Sequence, residues 1–487
     1  MPTSQHHSAE SAGSAEDPQV FKRGLKSRHV QMIAIGGSIG TGLFYGSAQG
    51  IALSGPAIVL GYALCGVVMF LIVRALGEMT VREPVAGAFS HFAYKYWSPR
   101  AGFVSGWNYW FNYIAVSMVE LAVVGAYVNY WLPGVQPWLS AAFFVAAITA
   151  VNLLGVKAFG EFEYWFAMIK VAAIVGMIVL GAVIIALGIN KSPGTLPEPS
   201  LAHLWDLGGF MPGGMSGFLM VLVVVLFSYG GTELIGITAG EAENPHRTIP
   251  QAINQLIIRF LIFYIGSMTV ILAIIPWDRI DGQLSPFVQI FQGIGLSGAP
   301  HVLNFVVLTA AMSAYNSALY SNARMLHALS DQGNAPKYLS RISGNGIPLA
   351  GVLTSTGVTS LAVLVVFLWP EFAFNYLLSI ALIAGIVNWT MIVVTHGKFR
   401  RRLGAEETAA SPFRLPGGRF SAWGVLLFMA LVIVQMAMSD TYRTAVVAGP
   451  AWLAGLLIAY AVKQRRQAVV PEPAPPKDSA PSRERMV

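Results

Sequence analysis

The chain has 487 residues, 55% of them hydrophobic and only 11% charged, with a mean hydropathy of +0.61. A soluble domain carries about a quarter charged residues, so a bilayer must solvate much of this surface; the 50 glycines and 27 prolines fit membrane helices, whose neighbours re-satisfy freed backbone groups. The net charge of +7 does not point to nucleic acid, because the basic residues fall in short loops and tails, and the single cysteine, Cys65 in an apolar run, excludes an internal disulfide and a cysteine metal site.

Residues 1–21 are polar and rich in Ser, Ala and His. They lack the apolar core of a signal peptide and are expected to be a disordered cytoplasmic tail. Twelve apolar segments of spanning length follow, near 30–52, 56–80, 102–131, 138–156, 163–189, 216–240, 252–275, 288–323, 349–369, 373–397, 421–439 and 447–462. The Pro-rich, charged stretch 467–487 is expected to be a second disordered cytoplasmic tail. With both termini inside, nearly all Lys and Arg lie on the cytoplasmic side, including Lys95, Arg100 and the cluster Lys398, Arg400, Arg401 and Arg402. Only Lys191, Arg279 and Arg443 fall outside. That asymmetry is the positive-inside rule, and it predicts an all-α integral membrane protein with twelve transmembrane helices and both termini cytoplasmic.

The first span contains Gly36-Gly37-Ser38-Ile39-Gly40-Thr41-Gly42. Each glycine weakens a helix by about 1 kcal/mol relative to alanine, and an unwound stretch in lipid survives only where it faces a cavity. A second interruption, Phe227-Ser228-Tyr229-Gly230-Gly231-Thr232-Glu233, lies in the sixth span. Broken helices in corresponding positions of two halves point to a transporter built on inverted repeats. The first repeat is expected over 22–190 (spans one to five) and the second over 191–400 (spans six to ten), with 401–466 adding a cytoplasmic loop and the last two spans. The competing reading is close helix packing through small residues. Freed N–H groups at a half-helix N-terminus bind a carboxylate and freed carbonyls bind an ammonium. A zwitterionic amino acid supplies both.

Ionisable groups inside spans are costly and are functional candidates by default. Glu120 shares one stripe of the third span with Tyr109 and Tyr113; it is a candidate proton carrier, or else a packing hydrogen-bond partner. Lys170 lies in the fifth span, seven residues past Glu163; it is a reversible proton carrier or a lysine snorkelling to the interface. Glu233 follows the sixth-span break, holding it or joining the proton path. Arg74 and Arg259 are expected to snorkel. Ser313, Asn316, Ser317 and Tyr320 form a polar stripe on span eight, which must face protein or water, as helix–helix glue or as substrate contact. Phe227, Tyr229, Tyr109 and Phe111 are candidates for an apolar wall. No histidines pair at metal-ligand spacing.

Leu25-Lys26-Ser27-Arg28-His29, Gly36 to Gly42, Gly160-Glu161-Phe162-Glu163-Tyr164-Trp165-Phe166, Trp205-Asp206 with Gly208-Gly209-Phe210, and Gly240-Glu241-Ala242-Glu243-Asn244-Pro245 resemble the amino-acid permeases of the amino acid–polyamine–organocation superfamily. The resemblance covers about residues 22–465. Glu83 to Gly87, Ser90 to Trp97, Ser105 to Trp110 and Ser313 to Ser317 are similar to the aromatic amino-acid and phenylalanine permeases in particular. The resemblance implies a five-plus-five inverted repeat with helices one and six unwound at the midplane. It also implies proton symport with alternating access, an important glutamate at Glu120, and an amine at Lys170 where sodium-coupled relatives hold a cation. The substrates it implies are phenylalanine, tyrosine and tryptophan; another neutral amino acid such as proline or asparagine is the alternative. Candidate substrate contacts are Ile35, Ser38, Ile39, Gly40, Thr41 and Gly42 in the first span, Tyr109 and Phe111 in the third, and Phe227, Ser228, Tyr229 and Gly230 in the sixth. Glu120, Lys170 and Glu233 are the candidates for proton coupling. Beyond the amino acid, protons and the lipid bilayer no partner is implied, and no cofactor or metal. A membrane enzyme would cluster acid–base or metal residues at one face, and a channel would show charge rings or a filter loop; the sequence has neither.

Overall fold

In hydrocarbon a spanning segment must pair its own backbone groups, and the long apolar runs of this chain do so as helices. The computed structural model describes residues 28, 32, 37–85, 87–188, 197–239, 242, 244–280, 285–293 and 298–468. Among them, nine helices are long and apolar enough to cross a membrane. One of these, Gly42–Arg82, is two spans, because Gly55 at φ 58° turns the chain. Two shorter apolar helices, Pro137–Leu153 and Gly214–Phe227, complete the twelve expected from the sequence.

The spans are α1, described from Gly42–Gly46 into Ser47–Ser54; α2, Ile58–Arg82; α3, Pro99–Asn129; α4, Pro137–Leu153; and α5, Val156–Leu187. Then come α6a, Gly214–Phe227; α6b, Leu234–Thr238; α7, Pro245–Ile274; and α8, Ala299–Asp331. The last four are α9, Leu349–Leu368; α10, Ala373–Ala410; α11, Gly418–Met438; and α12, Arg443–Ala468. Their ends carry ordinary punctuation. Ser98 caps α3 by accepting from the Ala101 N–H, with Pro99 as the first helical residue, and Gly188 ends α5 in the left-handed conformation.

Helices α3 and α8 cross at the centre of the molecule, and α10 covers the other flank of α3. The α8 stripe is buried throughout: Ser313, Asn316, Ser317 and Tyr320 are all at most 2% exposed. The outer helices turn apolar side chains outward, as with Leu427 at 74% and Val447 at 74% exposure, where lipid would solvate them. A ladder of amides locks α3 to α10: Asn108 donates to Ala384 O and Asn388 Oδ1, and Asn112 donates to Ala381 O.

Some boundaries and side chains differ from expectation. The eighth apolar segment is two elements, a short helix Pro286–Gly293 and then α8, which restarts with Pro300 in its first turn and runs on to Asp331. Helix α12 continues to Ala468, past the expected start of the tail at 467. Residues 1–21 lie outside the described residues, as do 469–487 and nearly all of the first half of span one. Arg74 reaches the segment between α10 and α11. Its guanidinium sits 3.4 Å over the Phe413 ring and donates to Arg414 O and Asn254 Oδ1, pinning the segment between α10 and α11. Beside it, buried Glu78 accepts from Arg400, His396 and the Leu415 N–H.

Candidate substrate and coupling site

The two glycine-rich interruptions meet at the centre. Residues Gly37–Gly40 are not helical, and α1 resumes at Thr41. Helix α6a stops at Phe227, and residues 228–233 form turns closed by tight bonds such as Ser228 N–H to Val225 O and Gly230 N–H to Phe227 O. Gly231, at φ 95°, lies so close to Gly37 that a Cβ there would overlap the Gly37 carbonyl. A Cβ on Gly42 would fall 2.7 Å from the Ser228 backbone. Glycine is thus dictated by contact between the two breaks, and at Gly231 also by conformation.

Tyr264, from α7, ties the breaks together. Its hydroxyl lies 2.8 Å from Ser38 O and 2.9 Å from Ser228 O, with one hydrogen to share between the two carbonyls. A narrow cavity opens beside this junction. Its backbone wall is Gly37, Ser38, Gly40 and Gly42 on one side and Ser228, Gly230 and Gly231 on the other. The rest is largely apolar: Phe227, Tyr113, Val116, Leu382 and Trp389.

Charge surrounds the first break. Glu120, 2% exposed, accepts from the Thr41 N–H at 3.3 Å and packs against Gly40, where a Cβ would fall 2.6 Å from its Oε1. Its carboxylate therefore sits at the N-terminal, partially positive end of the resumed helix. On the other side Lys170, fully buried, donates to Ile39 O at 3.0 Å and to Ser313 Oγ at 2.9 Å. Ser313 in turn donates to Glu163 Oε1 at 2.5 Å, and Asn316 donates to Glu163 Oε2 at 3.2 Å. The second break is flanked by Glu233, whose Oε1 accepts from the Tyr113 hydroxyl at 2.8 Å.

A convergence of broken helices on one cavity flanked by buried charge is a carrier's arrangement. The amino acid permease family model matches residues 29–469. The chain belongs to the amino acid permease family. This permease is similar to the aromatic amino acid transport protein AroP of Escherichia coli K12, with 49% identity over 447 residues, covering 91% of this chain and 96% of that protein. It is also similar to AroP of Salmonella typhimurium LT2, with 48% identity over 454 residues, 93% and 98% of the two chains. An uncharacterized amino acid permease, YtnA of Bacillus subtilis, is 42% identical over 442 residues, 91% and 95% of the two. The permease is a multi-pass membrane transporter of an amino acid, and not an enzyme.

Among the residues singled out from the sequence, Ser38, Gly40, Gly42, Phe227, Ser228, Gly230, Glu120 and Glu233 line the cavity of the permease. Ile39 and Thr41 are buried beside it and act through their backbone, one carbonyl on Lys170 and one N–H on Glu120. Ile35 lies outside the described residues. Three of the aromatic candidates do not line this cavity. Tyr229 points away, donates to Tyr62 O at 2.6 Å and stacks on Tyr264 with centroids 4.5 Å apart. Tyr109 lies one turn from the cavity, between Phe89 and Tyr113. Phe111 stacks on Trp452 of α12, with centroids 4.3 Å apart, on the opposite side of α3. Lys170 is no snorkelling lysine, being wholly enclosed.

The sequence reading did not name Trp389, Asn112, Leu382 or Tyr264 as site residues. Nothing in the apolar runs of α7 and α10 marks Tyr264, Leu382 or Trp389, since helical periodicity says which residues share a face and not which face meets the breaks; Asn112 stands in α3 as a polar residue within a span, a signal of the kind that singled out Glu120.

Proposed function

We propose that this permease imports phenylalanine, tyrosine and tryptophan across the cytoplasmic membrane of a bacterium by proton symport, with both termini in the cytoplasm. The carrying observation is the cavity itself: two unwound segments offer backbone groups to a zwitterion, and Phe227, Tyr113 and Trp389 offer aromatic surface to its side chain. The aromatic transport proteins, similar over nine-tenths of this chain, support that choice of side chain. One helical bundle is proposed to rock against another about this site.

Electrostatics supplies a reason for coupling. The substrate carboxylate seeks N–H groups at the start of the resumed α1, where Glu120 already accepts from Thr41. Two carboxylates at one buried helix end repel strongly, because the low dielectric magnifies like-charge repulsion. A proton taken up on Glu120 together with the substrate removes that repulsion, and its release on the far side lets both leave. Glu233, tied to Tyr113, is proposed to hold the second break in register while the ring of the substrate packs beside it.

The test is uptake of labelled phenylalanine into vesicles reconstituted with the purified permease under an imposed pH gradient. Accumulation should collapse with a proton ionophore, and unlabelled tyrosine and tryptophan should compete. Competition by proline or asparagine instead would move the substrate to those amino acids. Glu120→Gln should uncouple accumulation from the gradient; unchanged accumulation in that variant would sink the proposed role of Glu120.

A further inference from the structure

Buried beside the first break is a three-residue chain whose members come from two helices. Lys170 and Glu163 stand two turns apart on α5, and Ser313 of α8 bridges them, accepting from Lys170 Nζ at 2.9 Å and donating to Glu163 Oε1 at 2.5 Å. All three are fully buried. Asn316, also on α8, donates to the other carboxylate oxygen, and Asn152 of α4 donates at 2.8 Å to Asn316 Oδ1, so the acceptor end is fixed by α8 and one further helix. Lys170 also grips Ile39 O, the carbonyl next to the glycine that packs against Glu120.

From this geometry we propose that Lys170, Ser313 and Glu163 form an internal proton relay, in which Glu163 is the base that receives the proton of Lys170 through the Ser313 hydroxyl. The proposal rests on the proton-coupled reading above and assigns Glu163 as the proton acceptor and Ser313 as the conduit to it. The transfer balances. One Nζ hydrogen passes to Ser313 Oγ as the Ser313 hydrogen passes to Glu163 Oε1; an ammonium and a carboxylate become an amine and a carboxylic acid, and the total charge is unchanged. An overall neutral unit is the only kind of pair that can change protonation while staying out of water without stranding a charge. The consequence falls on helix one. As an ammonium, Lys170 makes a charge-assisted bond to the Ile39 carbonyl, roughly twice the strength of a neutral one. As an amine it holds that carbonyl more weakly, and the unwound segment is released to move.

The experiment compares gradient-driven accumulation with counterflow exchange in vesicles containing the full-length protein. Labelled phenylalanine is the probe, and the ratio of the two rates is the readout, because a general packing defect lowers both together. Glu163→Gln should lose about tenfold in accumulation while exchange stays within about twofold, and Glu163→Asp should recover part of the loss. Ser313→Ala should follow Glu163→Gln, and Ser313→Thr, which keeps the hydroxyl, should follow the wild type. Wild-type ratios in both Glu163→Gln and Ser313→Ala would overturn the relay. So would equal loss of exchange and accumulation in both. If the wild-type protein itself concentrates substrate in the presence of an ionophore, the proton-coupled reading fails, an outcome distinct from a normal wild type with unaffected variants.

Discussion

The two breaks look alike in sequence and are held differently. The first, at Gly37–Gly40, is gripped by ions: Glu120 on its N–H side and Lys170 on a carbonyl. The second, at residues 228–233, is gripped by rings and hydroxyls, with Tyr229 stacked on Tyr264 and bonded to Tyr62, and Tyr113 donating to Glu233. Charged groups change their bonding when a proton arrives or leaves, whereas a phenol buried in an aromatic cluster does not. Helix one is therefore the break suited to the proposed coupling, and helix six, whose carboxylate Glu233 is held by a tyrosine hydroxyl, the break suited to shape.

Substitutions at the two breaks separate these roles. Gly231→Val should have the largest effect, since it forces a β-branched residue to φ 95° and into the Gly37 carbonyl. A cost of about 3 kcal/mol or more is expected, visible as lost thermal stability in detergent as well as lost uptake. Gly40→Ala meets side chains and no backbone, chiefly the end of Glu120 at 2.6 Å and then the Ala314 Cβ at 3.2 Å; it should leave a folded protein with impaired coupling. Equal thermal destabilisation by both would erase the distinction. Tyr264→Phe removes the one donor shared by both breaks, at about 1–2 kcal/mol, and should slow transport without altering substrate preference. Phe227→Ala should instead change preference, by about tenfold between phenylalanine and tryptophan in competition. Lys95→Ala, far from both breaks, should have the smallest effect, about 0.5 kcal/mol. Lys95 and His91 bond Glu83 in the connection between α2 and α3. Partial burial raises the pKa of Glu83, but these two bonds outweigh it and hold the carboxyl below the usual carboxylate range. Because this folded-state pKa is depressed, the contribution is present at neutral pH and is lost as pH falls into the carboxylate range. Thermal melts of wild type and Lys95→Ala should converge in acid.

The fold was legible because its determinants are local. Apolar runs set the spans, basic residues set their alternation, and clustered glycines mark where helix fails. The site was half legible. Glu120 and Lys170 declared themselves as ions in apolar surroundings, and the Glu163 to Lys170 spacing already placed both on one side of α5. Their connection was hidden, since Ser313 is 143 residues from Lys170 in sequence. Two of the aromatic candidates stand away from the cavity for simple geometric reasons. Phe111 stands two residues from Tyr109, about 200° around a helix, so it could not share the stripe of Tyr109, Tyr113 and Glu120. Tyr229 follows the end of α6a, where the tight turn swings its side chain onto Gly66 of α2.

Tyr264 carries a further consequence. A phenol owns a single hydrogen, and here two carbonyls from separate helices divide it. Any movement that parts the two unwound segments makes the hydroxyl give up one of these two carbonyls. The junction thus behaves as a latch with one bolt and two keepers: α1 and α6 travel together, or the bolt must choose.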